Sequence, residues 1–220
     1  MTCVPLGEEA VIAYLPDEAT AVRFAASVRA AAPPWLQDVV PAYASVGVFF
    51  DADQIRTADA ITWLKKHAAR RGPAPAEPRR HEIPVCYEFD LDLPRVAELT
   101  GLPAERVVEL HAAAEYTVYA IGFVPGFPYL GYLPEELCGV PRLASPRLRV
   151  EPGSVGLTGR QTGIYPLARP GGWHLLGRTP LTLVDVADDF FPLRVGDAVR
   201  FRRIDDREFR EREGERLPMN

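Results

Sequence analysis

Along the first 71 residues the apolar positions change period repeatedly. EAVIAYL (9–15) is a compact apolar run of strand type, and EATAVRFAASVRAA (18–31) puts Val22, Ala25, Ala26 and Arg29 at helical spacing until Pro33-Pro34 stops it. DVVPAYASVGVFF (38–50) alternates and is β-branched or aromatic at both ends, which predicts a strand kinked at Pro41. After a turn at 51–53, TADAITWLKKHAARR (57–71) returns to the helical period with Thr57 as its N-cap. The order strand, helix, strand, helix predicts a small α+β layer with two helices on one sheet face.

GPAPAEP (72–78), with three prolines and no large apolar residue, reads as a short stiff linker. The strand HEIPVCYEF follows, then two short helices, LPRVAEL and PAERVVELHAAA; Gly101 ends the first and Pro103 opens the second. From Glu115 onward the helical period disappears. YTVYAIGFV, RLRV, SVGLTG, GIYPL, WHLLG, LTLVDV and DAVRFRRI are short strand-like runs between Gly or Pro turns, the pattern of a barrel or sandwich. The stretch 121-IGFVPGFPYLGYLP-134 is too irregular for helix or strand and too apolar for an ordinary exposed loop. It predicts a folded loop in which Phe123, Phe127 and Tyr129 wall a pocket or meet another protein. The tail DDREFREREGER reads as a solvated mixed-charge end. The predicted organisation is an α+β domain over 1–79, a β-barrel domain over 80–211 and a charged tail over 212–220.

Composition narrows this picture. A chain of 220 residues, 47% hydrophobic and 25% charged, is that of a globular protein with a real core. A net charge of −5 argues against a nucleic-acid binder. MTCVPLGEEAVIAYL lacks the basic and apolar regions of a signal peptide, and no apolar run reaches the ~18 residues of a membrane span. Cys3, Cys86 and Cys138 form no C-x-x-C pair, so reduced thiols in the cytoplasm are expected, with neither zinc nor disulfides.

Charge is unevenly placed. Arg142, Arg147, Arg149, Arg160, Arg169 and Arg178 face one acid, Glu151, between residues 142 and 178, a local balance of +5. Such a face attracts small anions or an acidic surface. The glycines of 153-GSVGLTGRQTGIYPLARPGG-172 fit neither G-x-x-x-x-G-K-[ST] nor G-x-G-x-x-G, and read as turns and bulges. His174 alternates with Trp173 and so faces the other way, toward a pocket if Trp173 is core. His67, His81 and His111 read as surface residues on helices or beside the linker. No histidine pair has metal spacing, and Ser145 and Ser154 lack a nucleophile's context.

GFVPGFPYLGYLP, PRLASPRLRVEPGSVGLTGRQTGIYP and PGGWHLLGRTPL together resemble the 5-oxoprolinase B-subunit family, whose members are also called KipI-type or allophanate hydrolase subunit 1 proteins. The resemblance is strong over 80–203 and one of layout over 1–79. Two departures, a short EFDLDLP segment and Tyr132 where glycine is expected, concern loop shape only. The family implies a small α+β domain followed by a cyclophilin-like β-barrel. It implies a cytoplasmic protein that acts with the C (KipA-type) and A subunits of 5-oxoprolinase to open 5-oxo-L-proline to L-glutamate, using ATP with Mg. Self-association is a further partner reading, and neither nucleic acid nor membrane is one. The alternative function is inhibition of a sensor histidine kinase, and a weaker one is a role in allophanate hydrolase or urea carboxylase. For lactam opening the residues expected to matter are His174 and Arg160 as catalytic groups. Arg147, Gln161, Thr162, Tyr165 and Arg178 are expected to bind substrate, and Phe123, Phe127 and Tyr129 a partner. The chain is expected to be inactive alone.

Overall fold

The computed structural model describes residues 1–68, 77–89 and 91–218. Two compact units divide the chain, Met1–Glu77 and Pro78–Asn220. Most of the predicted linker, and the last residues of the predicted 57–71 helix, lie outside the described residues.

The first unit contains β1 (Thr2–Pro5), β2 (Ala10–Tyr14), α1 (Glu18–Ala31), β3 (Leu36–Ala42), β4 (Ser45–Phe50) and α2 (Thr57–Ala68). Its strands pair antiparallel in the order β1-β2-β4-β3. Asp17 caps α1 by accepting from the Thr20 N–H at 2.7 Å. Ala21, Phe24, Ala25 and Val28 of α1 and Ala60 and Leu64 of α2 share one cluster with Val11, Val46, Val48 and Phe50 of the sheet. The predicted 38–50 strand is in fact a hairpin. Tyr43 takes a left-handed φ of 52° to make the turn, and Pro41 is tolerated because β3 is an edge strand. Thr57 is the first helical residue rather than the cap: the Arg56 carbonyl accepts from the Ala60 N–H.

In the second unit β5 (Arg80–Cys86) leads into α3 (Leu93–Thr100) and α4 (Ala104–Ala113). Gly101 ends α3 at φ 70°, its N–H returning to the last turn. The chain then runs through β6 (Glu115–Ile121), β7 (Pro128–Gly131), β8 (Arg147–Val150), β9 (Ser154–Thr158) and β10 (Gln161–Ile164). It continues through β11 (Arg169–Gly171), β12 (His174–Arg178), β13 (Ala198–Ile204) and α5 (Asp206–Glu211). Seven of these strands close a barrel in the order β10-β7-β6-β13-β5-β12-β9, while β8 and β11 form a separate ribbon. β13 lies parallel to β5 over seven residue pairs, from Ala198 opposite Arg80 to Ile204 opposite Cys86; the other barrel pairs are antiparallel.

Barrel residues such as Ile83, Val85, Val118, Leu130, Leu157 and Phe201 form the core with Val96 of α3 and Val107 and Val108 of α4. Three expectations change here. The 121–134 stretch contains a true barrel strand, β7. LTLVDV is not a strand but makes isolated bridges at Thr182 and Asp185. The tail is not simply solvated. Asp205 caps α5, Phe209 packs edge-on against Phe89 at 4.8 Å, and Leu217 joins the main core. Its charges stay outside and pair locally, as Arg210 does with Asp206 at 2.6 Å, which is why the composition looks solvated.

Candidate functional site

Beside the barrel, the 121–128 loop, Tyr129 of β7, Arg142 and Pro146, Tyr165 just after β10 and the segment 170–173 border an open aromatic cleft of about 320 Å³. Phe127 is its hub, 1% exposed and edge-to-face with Tyr165 at 5.2 Å, Trp173 at 5.5 Å and Tyr129 at 4.9 Å. Phe123 stands at the mouth, 59% exposed, held at φ 65° and edge-on to Phe127 at 5.5 Å. Arg142, Pro146, Gly171 and Gly172 line the same space.

Glycine is needed here for closeness rather than for turning. A Cβ on Gly163 would stand 2.9 Å from the Phe127 ring and 3.0 Å from Trp173; on Gly171 it would stand 2.5 Å from the Tyr165 hydroxyl. Gly171→Ala is therefore expected to push Tyr165 out of place and to destabilise the chain by about 1–3 kcal/mol. Urea denaturation measures that loss, and a variant as stable as the parent would show that this wall yields freely.

The predicted site residues do not converge. Tyr165, Tyr129, Phe123 and Phe127 share the cleft. Arg147 lies close to it but is bound: its guanidinium donates to both oxygens of Asp92 at 2.5 and 2.7 Å, and to the Trp173 carbonyl at 3.4 Å. Asp92 also accepts from the Leu175 N–H at 2.8 Å, so its carboxylate ties α3 to β8 and β12. Arg160 is exposed and stacks over Tyr132 at 4.7 Å, with Gln161 next to it on β10. Arg178 lies 5.7 Å from both Phe89 and Phe209, and donates to the Pro152 carbonyl. Phe127, read as a docking residue, is core and presents no surface; Phe123 is the exposed member of that loop.

Thr162, read as a substrate donor, is wholly buried and committed. Its hydroxyl donates to the Gly156 carbonyl at 2.9 Å, so its oxygen accepts from His111 Nε2–H, also at 2.9 Å. His111 Nδ1 then accepts from the Tyr87 hydroxyl at 2.9 Å. This strut of Tyr87, His111, Thr162 and Gly156 runs through the interior, with the imidazole stacked on Phe201 at 4.7 Å. Burial holds the His111 pKa down at about 3.

The other two histidines read as surface residues are also packed. His81 is buried against Asp197, which Arg79 also engages, and Asp197 is held at about 2. Burial pushes that carboxyl upward, but hydrogen bonds from His81, Arg79 and the Arg194 N–H win. His67 is half-buried, stacked on Trp63 at 4.5 Å and bonded to Ser27. Helix position alone hides this, yet His111 lies at i+4 from Val107 and i+3 from Val108, on the buried face.

His174 is 3% exposed, as expected of an inward residue, but it does not line the cleft. Among the described residues its Nδ1 has no partner, and burial lowers its pKa against the pull of nearby Asp92. The imidazole is thus neutral at physiological pH. Among the described residues no group of His, Cys, Asp and Glu is placed to hold a metal ion. In the cleft, burial raises the pKa of Tyr129 and of Tyr165, while Arg142 draws both downward. Both phenols stay protonated and able to donate. Of the six arginines Arg142 is the one that lines the cleft, and nothing local in the sequence distinguishes it from the others.

Residues 1–192 match the family described as carboxyltransferase domain, subdomain C and D, which sets the class of protein. A protein of Escherichia coli O157:H7, named as the B subunit of 5-oxoprolinase, is 42% identical over 206 residues, 90% of this chain and 94% of that one. The chain belongs to the 5-oxoprolinase B-subunit family. The crystal structure of TTHA0988 in space group P212121 superposes with a TM-score of 0.77 at 38% identity, over 90% of this chain but 40% of that one. The Kluyveromyces lactis urea carboxylase structure gives a TM-score of 0.79 at 16% identity, over 96% of this chain and 22% of that one, and shares the fold alone.

Proposed function

We propose that this chain is the B subunit of an ATP-dependent 5-oxoprolinase, working in the cytoplasm with the C and A subunits to open 5-oxo-L-proline to L-glutamate. The observation that carries this reading is the 42% identity to a relative of that name over 94% of the relative's length. The chemistry agrees. A lactam carbonyl resists water unless its oxygen is activated and its substrate is held in place, and arginines and phenol donors suit an anionic amide.

The glycine stretch and the carboxylate-capped helices of this chain offer ATP no cradle. The glycines of 153–172 lie in strands and strand turns that do not open into a helix, and the caps of α1 and α5 are carboxylates, Asp17 and Asp205, which repel phosphate. No step through the nucleotide is assigned to this chain; the proposal gives ATP and Mg to the assembled complex. No helix among the described residues is long and apolar enough to cross a membrane.

The test is co-expression with the A and C subunits and an assay of glutamate released from 5-oxo-L-proline. Release by the three-part assembly that requires ATP, and none from this chain alone, is expected. An assembly without activity overturns the assignment, and release by the isolated chain overturns the dependence on partners.

A further inference from the structure

We propose that the aromatic cleft is the binding site for a small, flat ring carboxylate, with Arg142 gripping the carboxylate and Phe127, Tyr165 and Trp173 forming the wall for the ring. It rests on the function proposed above in one respect, that the carboxylate is 5-oxo-L-proline.

Size and shape come first. A space of 320 Å³ is at the small end of ligand pockets, and Pro146, Pro170, Gly171 and Gly172 make up part of its lining. Gly171 and Gly172 bring no side chains into it, and the rings of its wall hold one another by edge-to-face contacts, so the wall is pre-formed. Rigid walls of this kind lower the cost of ordering on binding.

Charge comes second. Among the described residues Arg142 is the sole charged one lining the cleft, and no carboxylate of theirs pairs with it. Its neighbours in sequence are occupied: Arg147 by Asp92, and Arg149 by Glu151 at 2.7 Å. A guanidinium fork beside an apolar wall matches a carboxylate attached to a ring. One cation suits a monoanion; a phosphate dianion calls for more than one. Hydrogen bonding comes third. The phenols of Tyr129 and Tyr165 both line the cleft, and each can donate to a ligand carbonyl.

Trp173 makes the site observable, because the other two tryptophans, Trp35 and Trp63, belong to the first unit. The experiment labels the full chain with 5-fluorotryptophan. It follows the three fluorine signals during titration with 5-oxo-L-proline, cyclopentanecarboxylate and 2-pyrrolidinone, in the chain alone and in the complex with the A and C subunits. The Trp173 signal is expected to move with the two carboxylates and to respond at least tenfold more weakly to 2-pyrrolidinone, which lacks the carboxylate. Arg142→Met should weaken 5-oxo-L-proline binding at least tenfold, Arg142→Lys less, and the exposed control Arg149→Met not at all. A silent Trp173 in both chain and complex overturns the proposal, as does binding unaffected by Arg142→Met. A complex that opens the lactam while Trp173 stays silent refutes the cleft and leaves the function standing. Arg142-dependent binding in a complex that releases no glutamate does the reverse.

Discussion

Lowering the pH from 7 toward 3 should weaken the fold by roughly 4–5 kcal/mol through His111 alone, with the unfolding constant rising about tenfold per pH unit below ~6.5. In the unfolded chain this imidazole takes a proton near its ordinary value, whereas in the folded chain burial delays that to about 3. Between the two values the unfolded state binds the extra proton, so stability is complete above ~6.5 and drains away as the pH falls. Geometry gives the same sign. A second ring proton on Nδ1 would meet the Tyr87 hydroxyl proton that Nδ1 now accepts, and Nε2–H is already spent on Thr162. Urea denaturation of the wild type and of His111→Gln at pH 7, 6, 5 and 4 separates this contribution from those of Asp197 and His174. The difference in stability between the two proteins should shrink as the pH falls. Parallel pH profiles would mean that His111 titrates freely and that the strut is not closed.

Phe127→Ala should cost about 3–5 kcal/mol, the loss expected when a large buried ring leaves a cavity. Phe127 touches Phe123, Tyr129, Tyr165 and Trp173 together, so its removal loosens every wall of the cleft. Phe123→Ala, at the exposed mouth, should stay within about 0.5 kcal/mol of the parent. Denaturant midpoints for the two variants make the comparison. If both were neutral, the 121–134 stretch would be an unattached loop and the cleft would have no hub.

Where local chemistry decides structure, the sequence was readable. α1 ends before its proline pair, α3 ends at Gly101, and the loss of helical period after Glu115 marks the barrel. It was unreadable where distant residues decide. Nothing in AYAS marks a hairpin turn, since Tyr43 enters a left-handed conformation without the usual Gly or Asn. β7 hides among prolines and glycines because its partners β6 and β10 supply the pairing that its own residues do not advertise. Gly163 and Gly171 look like turn glycines, yet what requires them is the ring of a residue elsewhere in the chain. The arginines illustrate the same limit. Six of them looked equivalent until Asp92, Glu151, Tyr132 and the Phe89–Phe209 pair were seen to engage Arg147, Arg149, Arg160 and Arg178.

The parallel pairing of β5 with β13 also governs the order of events during synthesis. β5 is the first barrel strand to leave the ribosome, yet its two neighbours, β12 and β13, begin only at residues 174 and 198. Ile83 and Val85 must therefore wait, unpaired and apolar, while more than half of the second unit is translated. Closing so long a loop is slow, and a waiting strand is open to the wrong partners. The first unit faces no such delay, since its sheet and both helices are complete by residue 68. A newborn chain thus carries a finished amino-terminal unit while its barrel is still an open set of strands, and the last strand made is the one that seals it.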